Sequence, residues 1–228
     1  MTKLLSLKAG NEHIEIETNR SDYAAILIRG LVGAVPWLGP LTAELITTRI
    51  PNQKIDRIIS VLKLLEDKIN FLELDKAYIE TRFTSEEFAD LLEDALPQAA
   101  RALSEDRKEY IANLLKNSLT REDLDHAGKK KLLALLGELL DPEIILLHYY
   151  SLQGKGRERV FAFEDRYPFI NKIIHEDTYR QPDVEEEILF SSYRGKLVMN
   201  SLIMGTGGIT EHTSALGELL VKFVEPKP

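Results

Sequence analysis

The sequence contains no cysteine among its 228 residues. Disulfides, thiolate metal sites, iron–sulfur clusters and cysteine nucleophiles are therefore excluded, and the composition is typical of a reducing compartment such as the cytoplasm. Positive charge is also scarce, because 37 acidic side chains outnumber 29 basic ones and leave a net charge of -8. The overall electrostatic field does not attract a phosphate backbone, so we expect nucleic acid not to be a partner.

Motifs for catalysis and metal binding are missing as well. The sequence has no HExxH motif, no calcium-binding loop and no nucleophile elbow. The glycines from Gly205 to Gly208 lack the lysine that follows in a phosphate-binding loop. The five histidines are scattered singly: His13, His126, His148, His175 and His212. We therefore expect a protein that is not an enzyme and has no metal or cofactor.

The first residues also lack the apolar core of a secretory signal, so we expect no export. Two short runs, from Lys3 to Lys8 and from Glu12 to Glu17, predict a small hairpin or an extended arm. Beyond about residue 21 the apolar spacing becomes helical, and the clearest amphipathic helix follows Pro51. The sequence therefore predicts a mainly α fold with a helical bundle over residues 1–140.

Several helix boundaries in the bundle are readable from capping residues. Ser85 and Ser104 are predicted N-caps, and Pro97 is predicted to kink or interrupt the helix that Ser85 opens. The run starting at Thr120 is predicted to open a further helix, and Asp141 to cap the next one. The breaker Gly154-Lys155-Gly156 ends the regular leucine spacing.

The most unusual feature is a glycine-rich apolar segment, GLVGAVPWLGPL, from Gly30 to Leu41. It is too short and too interrupted by glycine and proline to be an ordinary transmembrane helix. One interpretation is a buried helical corner in which Trp37 fills the core. The other is a segment released on activation to insert into a bilayer. The candidate interaction or membrane residues are Gly30, Leu31, Val32, Gly33, Val35, Trp37, Leu38 and Leu41.

The apolar segment resembles a fusion peptide, and the N-terminal part resembles the helical bundles of membrane-perturbing immune and cell-death effectors of the HeLo type. This resemblance implies a defence or cell-death effector that acts on membranes. Few basic residues flank the segment, which disfavours recruitment to anionic lipid.

Residues 141–228 resemble a winged-helix domain. The order of two helices, a long helix from Val184 to Ser201, a glycine turn and a last segment carries this resemblance, together with the Thr213–Gly217 pattern before an apolar helix. The resemblance implies that the long helix reads DNA. Its start, Glu185-Glu186-Glu187, would repel a duplex, and the simplest explanation of these acids is favourable charge at a helix start.

Three functions remain open from the sequence. The favoured one is a non-enzymatic, cytoplasmic module that binds a protein partner or its own copies. The alternatives are a membrane-disrupting effector that inserts Gly30–Leu41, and a DNA-binding regulator.

Overall fold

The structure, a computed structural model, describes residues 52–70, 72, 76–170, 184–205 and 212–225. It is mainly helical, which confirms the predicted fold class at that level. The elements are α1 (Asn52–Asn70), α2 (Lys76–Phe83), α3 (Glu86–Arg101), α4 (Glu105–Thr120), α5 (His126–Glu138), α6 (Asp141–Leu152), α7 (Arg157–Arg166), α8 (Val184–Met199), β1 (Ile203–Met204), β2 (His212–Thr213) and α9 (Ala215–Val224).

Helix α4 is the centre of the fold. It packs against α1, α3 and α9, and every residue from Tyr110 to Leu119 is buried. Neighbouring helices surround α4, so polar side chains such as Asn113 and Asn117 are buried as well as the apolar ones. A helix covered on all sides has no need of a single apolar face.

The predicted caps at Ser85 and Ser104 are confirmed. Each hydroxyl accepts a hydrogen bond from a first-turn amide, that of Phe88 for Ser85 and that of Arg107 for Ser104. Of the two predictions for Pro97, the interruption is wrong, because α3 continues through it to Arg101, and the kink stays a prediction. Pro97 lies on the exposed side of the helix, where water can replace the missing hydrogen bond.

Two other predicted helix starts are shifted. Thr120 ends α4 instead of opening α5, and Asp125 caps α5 by accepting a hydrogen bond from the amide of Gly128 at 2.8 Å. Asp141 is the first residue of α6 and not its cap. Its carboxylate binds Arg107 and Ser104 instead, so a long-range contact outweighs local capping.

The C-terminal segment forms a strand followed by a helix. Strands β1 and β2 pair antiparallel, Ile203 with Thr213 and Met204 with His212. Ser214 then caps α9, accepting from the amide of Gly217 at 3.0 Å and donating to the carbonyl of Ser201 at 2.6 Å. The hairpin and α9 are therefore held together at this junction.

Helix α9 returns to the centre of the fold. The side-chain amides of Asn113 and Asn117 donate to the carbonyls of Val224 and Phe223, at 2.9 and 2.8 Å, which satisfies the buried end of α9. A single buried apolar cluster therefore includes side chains from both sides of residue 140. The division into domains 1–140 and 141–228 stays a prediction.

Some predictions fall outside the described residues. They are the N-terminal hairpin or arm, the helical run from residue 21 to residue 50 and the glycine turn Gly205–Gly208 beyond its first residue. Helix α7 was not predicted, because it carries no continuous apolar stripe and among its residues only Glu164 is buried.

Candidate interaction surface on helix α8

The eight residues predicted as an interaction or membrane segment, Gly30, Leu31, Val32, Gly33, Val35, Trp37, Leu38 and Leu41, lie outside the described residues. Whether Trp37 is buried therefore stays a prediction. Among the described residues, the feature that most resembles a binding surface lies on α8.

One side of α8 is anchored to the core. Leu197 is fully buried, while Phe190 and Tyr193 are partly buried against the apolar cluster, and the helix packs along α6. The helix end is fixed by the amide of Leu202, which donates to the carbonyl of Leu197 at 2.9 Å, and by Ser201, which has a positive φ of 56°. The orientation of α8 is therefore set by the core.

The opposite side of α8 is apolar and bare. Residues 184, 188, 191, 195 and 198 follow the alternating spacing of three and four that places them on one helix face. The exposed fractions are 67% for Val184, 62% for Ile188 and 43% for Val198. We call this face, made of Val184, Ile188, Ser191, Gly195 and Val198, the α8 seam.

Small residues occupy the middle of the α8 seam. Ser191 and Gly195 are four residues apart, and a Cβ atom added at Gly195 would meet no atom within 4 Å. The larger apolar side chains lie towards its two ends, where Met199 continues it with 83% exposure. A low centre between raised ends lets a second helix approach the backbone closely.

Charged residues border the α8 seam on both edges. Glu187 and Arg194 lie on one edge, and Glu185 and Lys196 lie on the other, since helix positions seven or eleven residues apart share a side. Lys196 Nζ also lies 3.7 Å from Glu138 Oε2, a partly exposed pair of small energetic weight. Acidic groups therefore mark the start of the helix and basic groups its end.

Two histidines in the described part, His126 and His148, contact carboxylates. His148 Nε2 contacts a Glu225 carboxylate oxygen, and the centre of its ring lies 4.6 Å from that of Phe163. His126 Nε2 lies 2.8 Å from Asp90 Oδ2. Within the described ranges, no group of three or more His, Asp or Glu side chains is placed to hold a metal ion.

None of the helices in the described part of the chain combines the length and the apolarity needed to cross a bilayer. The exposed apolar residues of α8 are Val184, Ile188, Leu189, Val198 and Met199, of which Leu189 lies outside the α8 seam, and the first turn of the helix carries three acidic residues.

No family model, curated protein or solved structure matches this chain. The function is therefore inferred from the geometry of the chain itself. The spacing of the α8 seam is visible in the sequence, but a buried helix shows the same spacing. Only the packing of α8 on α6 shows that this face is the uncovered one.

Proposed function

We propose that this protein is a non-enzymatic, cytoplasmic interaction module that associates with its own copies through the α8 seam. The observation that carries the proposal is an apolar helix face left bare on a helix whose other face is anchored in the core. Covering the exposed Val184, Ile188 and Val198 side chains removes apolar surface from water, which favours association.

The charge pattern favours an antiparallel pair. In two antiparallel helices related by a two-fold axis, each edge of the seam meets the same edge of the second copy. Glu187 then faces Arg194 of the second copy, and Glu185 faces Lys196 of the second copy. Both pairs are centred on the same point, between residues 190 and 191. A parallel pair would instead place the two acidic helix starts side by side, where they repel.

The expected affinity is modest. A single helix face is smaller than a standard interface, so we expect a dissociation constant on the order of micromolar and a reversible dimer. Such an interface suits a regulatory assembly whose state depends on protein concentration.

Helix α8 also bears on the resemblance of residues 141–228 to a winged-helix domain. The order of α8, the β1–β2 hairpin and α9 supports a winged-helix-like arrangement in residues 141–228. In that arrangement α8 would be the helix that reads DNA. Its first turn carries Glu185, Glu186 and Glu187, and its free face is apolar, so a protein partner is favoured over DNA.

Cysteine cross-linking tests the antiparallel pair cleanly, because the natural chain has no cysteine. Ser191 lies next to the proposed two-fold axis, so Ser191→Cys should form a disulfide-linked dimer under mild oxidation. The matched variant Val198→Cys lies on the same seam but about 20 Å from its counterpart, so it should not cross-link. Equal cross-linking of both variants would indicate a parallel pair or random collision and would overturn the proposed arrangement.

Sedimentation velocity tests the interface itself. Ile188→Asp should convert the dimer to a monomer, because it buries a charge in the seam. Leu103→Asp is the matched control, since Leu103 is 76% exposed and is not part of the α8 seam. Glu187→Lys should weaken the dimer, and adding Arg194→Glu should restore it by exchanging the two charges. Failure of this rescue would contradict the register.

The membrane alternative has its own test. If Gly30–Leu41 inserts into bilayers, anionic vesicles should leak on addition of the protein and the fluorescence of Trp37 should shift to the blue. We expect neither effect. Leakage that is abolished by Trp37→Ala and unaffected by Ile188→Asp would replace the interaction module by the membrane-disrupting effector.

A further inference from the structure

The apolar face of helix α1 extends beyond the core that it serves. Leu62, Leu65 and Ile69 repeat along this face at helical spacing, and each is at most 5% exposed. Ile55 and Ile58 continue the same face towards the start of the helix, but both are only partly buried. The first turns of α1 therefore carry apolar side chains that the core does not fully cover.

Two contacts place the start of α1 at one end of the bundle. Arg57 Nη1 donates to the carbonyl of Ala100 at 3.2 Å, in the last turn of α3. Nearer the other end of α1, Lys68 Nζ lies 3.5 Å from Glu109 Oε1, in the second turn of α4. The chain that precedes α1 therefore leaves from the end of the bundle where α3 passes into α4.

Two leucines are exposed at this same end. Leu103, in the link between α3 and α4, is 76% exposed, and Leu140, in the link between α5 and α6, is 58% exposed. The two links are joined by the hydroxyl of Ser104, which donates to Asp141 Oδ2 at 2.5 Å. We call the apolar surface at this end the bundle-end surface; it is made of Ile55, Ile58, Leu103 and Leu140.

The apolar segment Gly30–Leu41 is tethered close to this surface. Residues 42–51 separate it from α1, and these ten residues span up to about 33 to 36 Å when fully extended. A tether of this length keeps the segment at an effective concentration on the order of millimolar beside the start of α1. A second copy of the chain is far more dilute in a micromolar solution, so the segment of the same chain is the favoured occupant.

We propose that the bundle-end surface is the docking site of the segment Gly30–Leu41 of the same chain, with Trp37 in contact with Leu103. No charged side chain lies between Gly30 and Leu41, so docking removes apolar area of both the segment and the surface from water. The site shares no residue with the α8 seam, and the docking does not depend on self-association.

A fluorescent label on a single cysteine tests the contact directly. The chain has one tryptophan and no cysteine, and tryptophan quenches bimane fluorescence only at near contact. Bimane on Leu103→Cys of the full chain should be strongly quenched, and adding Trp37→Phe should restore its emission. The matched control is bimane on Met199→Cys, an 83% exposed position on α8, whose emission should not respond to Trp37→Phe.

Mixing the chains distinguishes the occupants. Labelled Leu103→Cys that also carries Trp37→Phe should stay bright when excess unlabelled natural protein is added, because the docked segment belongs to the same chain. Quenching on mixing assigns the surface to a second copy and overturns the intramolecular site. If Trp37→Phe does not change the emission of labelled Leu103→Cys in unmixed protein, the docking itself is overturned.

Quenching of Trp37 by acrylamide is a second readout. Ile55→Asp places a charge in the docking site, so the quenching constant should rise at least about twofold. Ile188→Asp, the matched control on the α8 seam, should leave the quenching constant unchanged even where it converts the dimer to a monomer. Failure of the α8 seam and failure of the docking site are therefore separate results.

Two outcomes of the acrylamide measurement overturn the site. One is an unchanged quenching constant in Ile55→Asp that retains the helical circular dichroism of the natural protein. The other is a Trp37 side chain that acrylamide quenches freely in buffer and that only anionic vesicles protect, which would assign the segment to a bilayer. If Ile55→Asp does not fold, the bimane measurement decides the question.

Discussion

Replacing Arg107 by alanine should destabilise the fold more than replacing any other charged residue of α4 by alanine. The guanidinium joins three elements: Nε donates to Asp141 Oδ1 at 2.7 Å, Nη1 to the carbonyl of Leu136 at 2.7 Å and Nη2 to the carbonyl of Leu139 at 2.5 Å. Both carbonyls belong to the C-terminal end of α5, where the helix provides no partners. Arg107 therefore caps the C-terminal end of α5 and positions the start of α6.

The magnitude follows from these three contacts. Hydrogen bonds to a charged group contribute about 1.5 to 3 kcal/mol each, and breaking a buried ion pair costs about 3 to 5 kcal/mol. The Arg107 side chain is 13% exposed but that of Asp141 is 32% exposed, so water partly screens the pair and reaches the freed groups. We expect Arg107→Ala to lower the free energy of unfolding by about 3 to 4 kcal/mol, which corresponds to about 6 to 16 °C in melting temperature.

Urea unfolding followed by circular dichroism at the helix band measures this loss. Arg107→Lys keeps the charge, but one ammonium cannot reach three acceptors in the planar geometry of a guanidinium, so it should recover only a minor part of the stability. Arg101→Ala, an exposed arginine at the end of α3, is the control and should change the stability by at most about 0.5 kcal/mol. If Arg107→Ala lowers the free energy of unfolding by less than about 1 kcal/mol, this side chain does not act as the C-terminal cap of α5.

Three other changes should have measurable effects. Gly217→Ala should cost at least about 2 kcal/mol in urea unfolding, because the new Cβ would lie 2.1 Å from the carbonyl oxygen of Leu202, whereas Gly195→Ala, in open space, should cost much less. Asn117→Ala should cost about 1 to 3 kcal/mol by the same assay, since it leaves a buried carbonyl of α9 without its donor. Burial alone would raise the pKa of Glu225, but the hydrogen bond and charge of His148 outweigh it and hold that pKa below its usual value. The pair therefore stabilises the protein above the unfolded-state pKa of the carboxyl, and this stabilisation is lost as the pH falls through the lower folded-state pKa. Thermal melts from pH 6 to pH 3 should show a steeper acid loss in the natural protein than in Glu225→Gln, and identical slopes would contradict this assignment.

Local signals predicted much of the helical framework. The caps at Ser85 and Ser104 were identified correctly because a serine hydroxyl just before an acidic first turn needs only its own neighbouring amides to act. The start of α5 was misplaced because both Thr120 and Asp125 are suitable caps. The packing of Leu119 in the core extends α4 past the first of them.

The sequence by itself determined that the chain is mainly helical, free of thiol chemistry and acidic, because periodicity, capping and composition act between near neighbours or need no structure at all. Only the tertiary structure decided which helix faces are covered. Helix α4 is buried on every side, whereas α8 keeps one apolar face bare, although both carry apolar residues at helical spacing. The three acceptors of Arg107 could not be predicted from the sequence either. Burial and pairing depend on segments distant along the chain, and no local pattern records which of them meet.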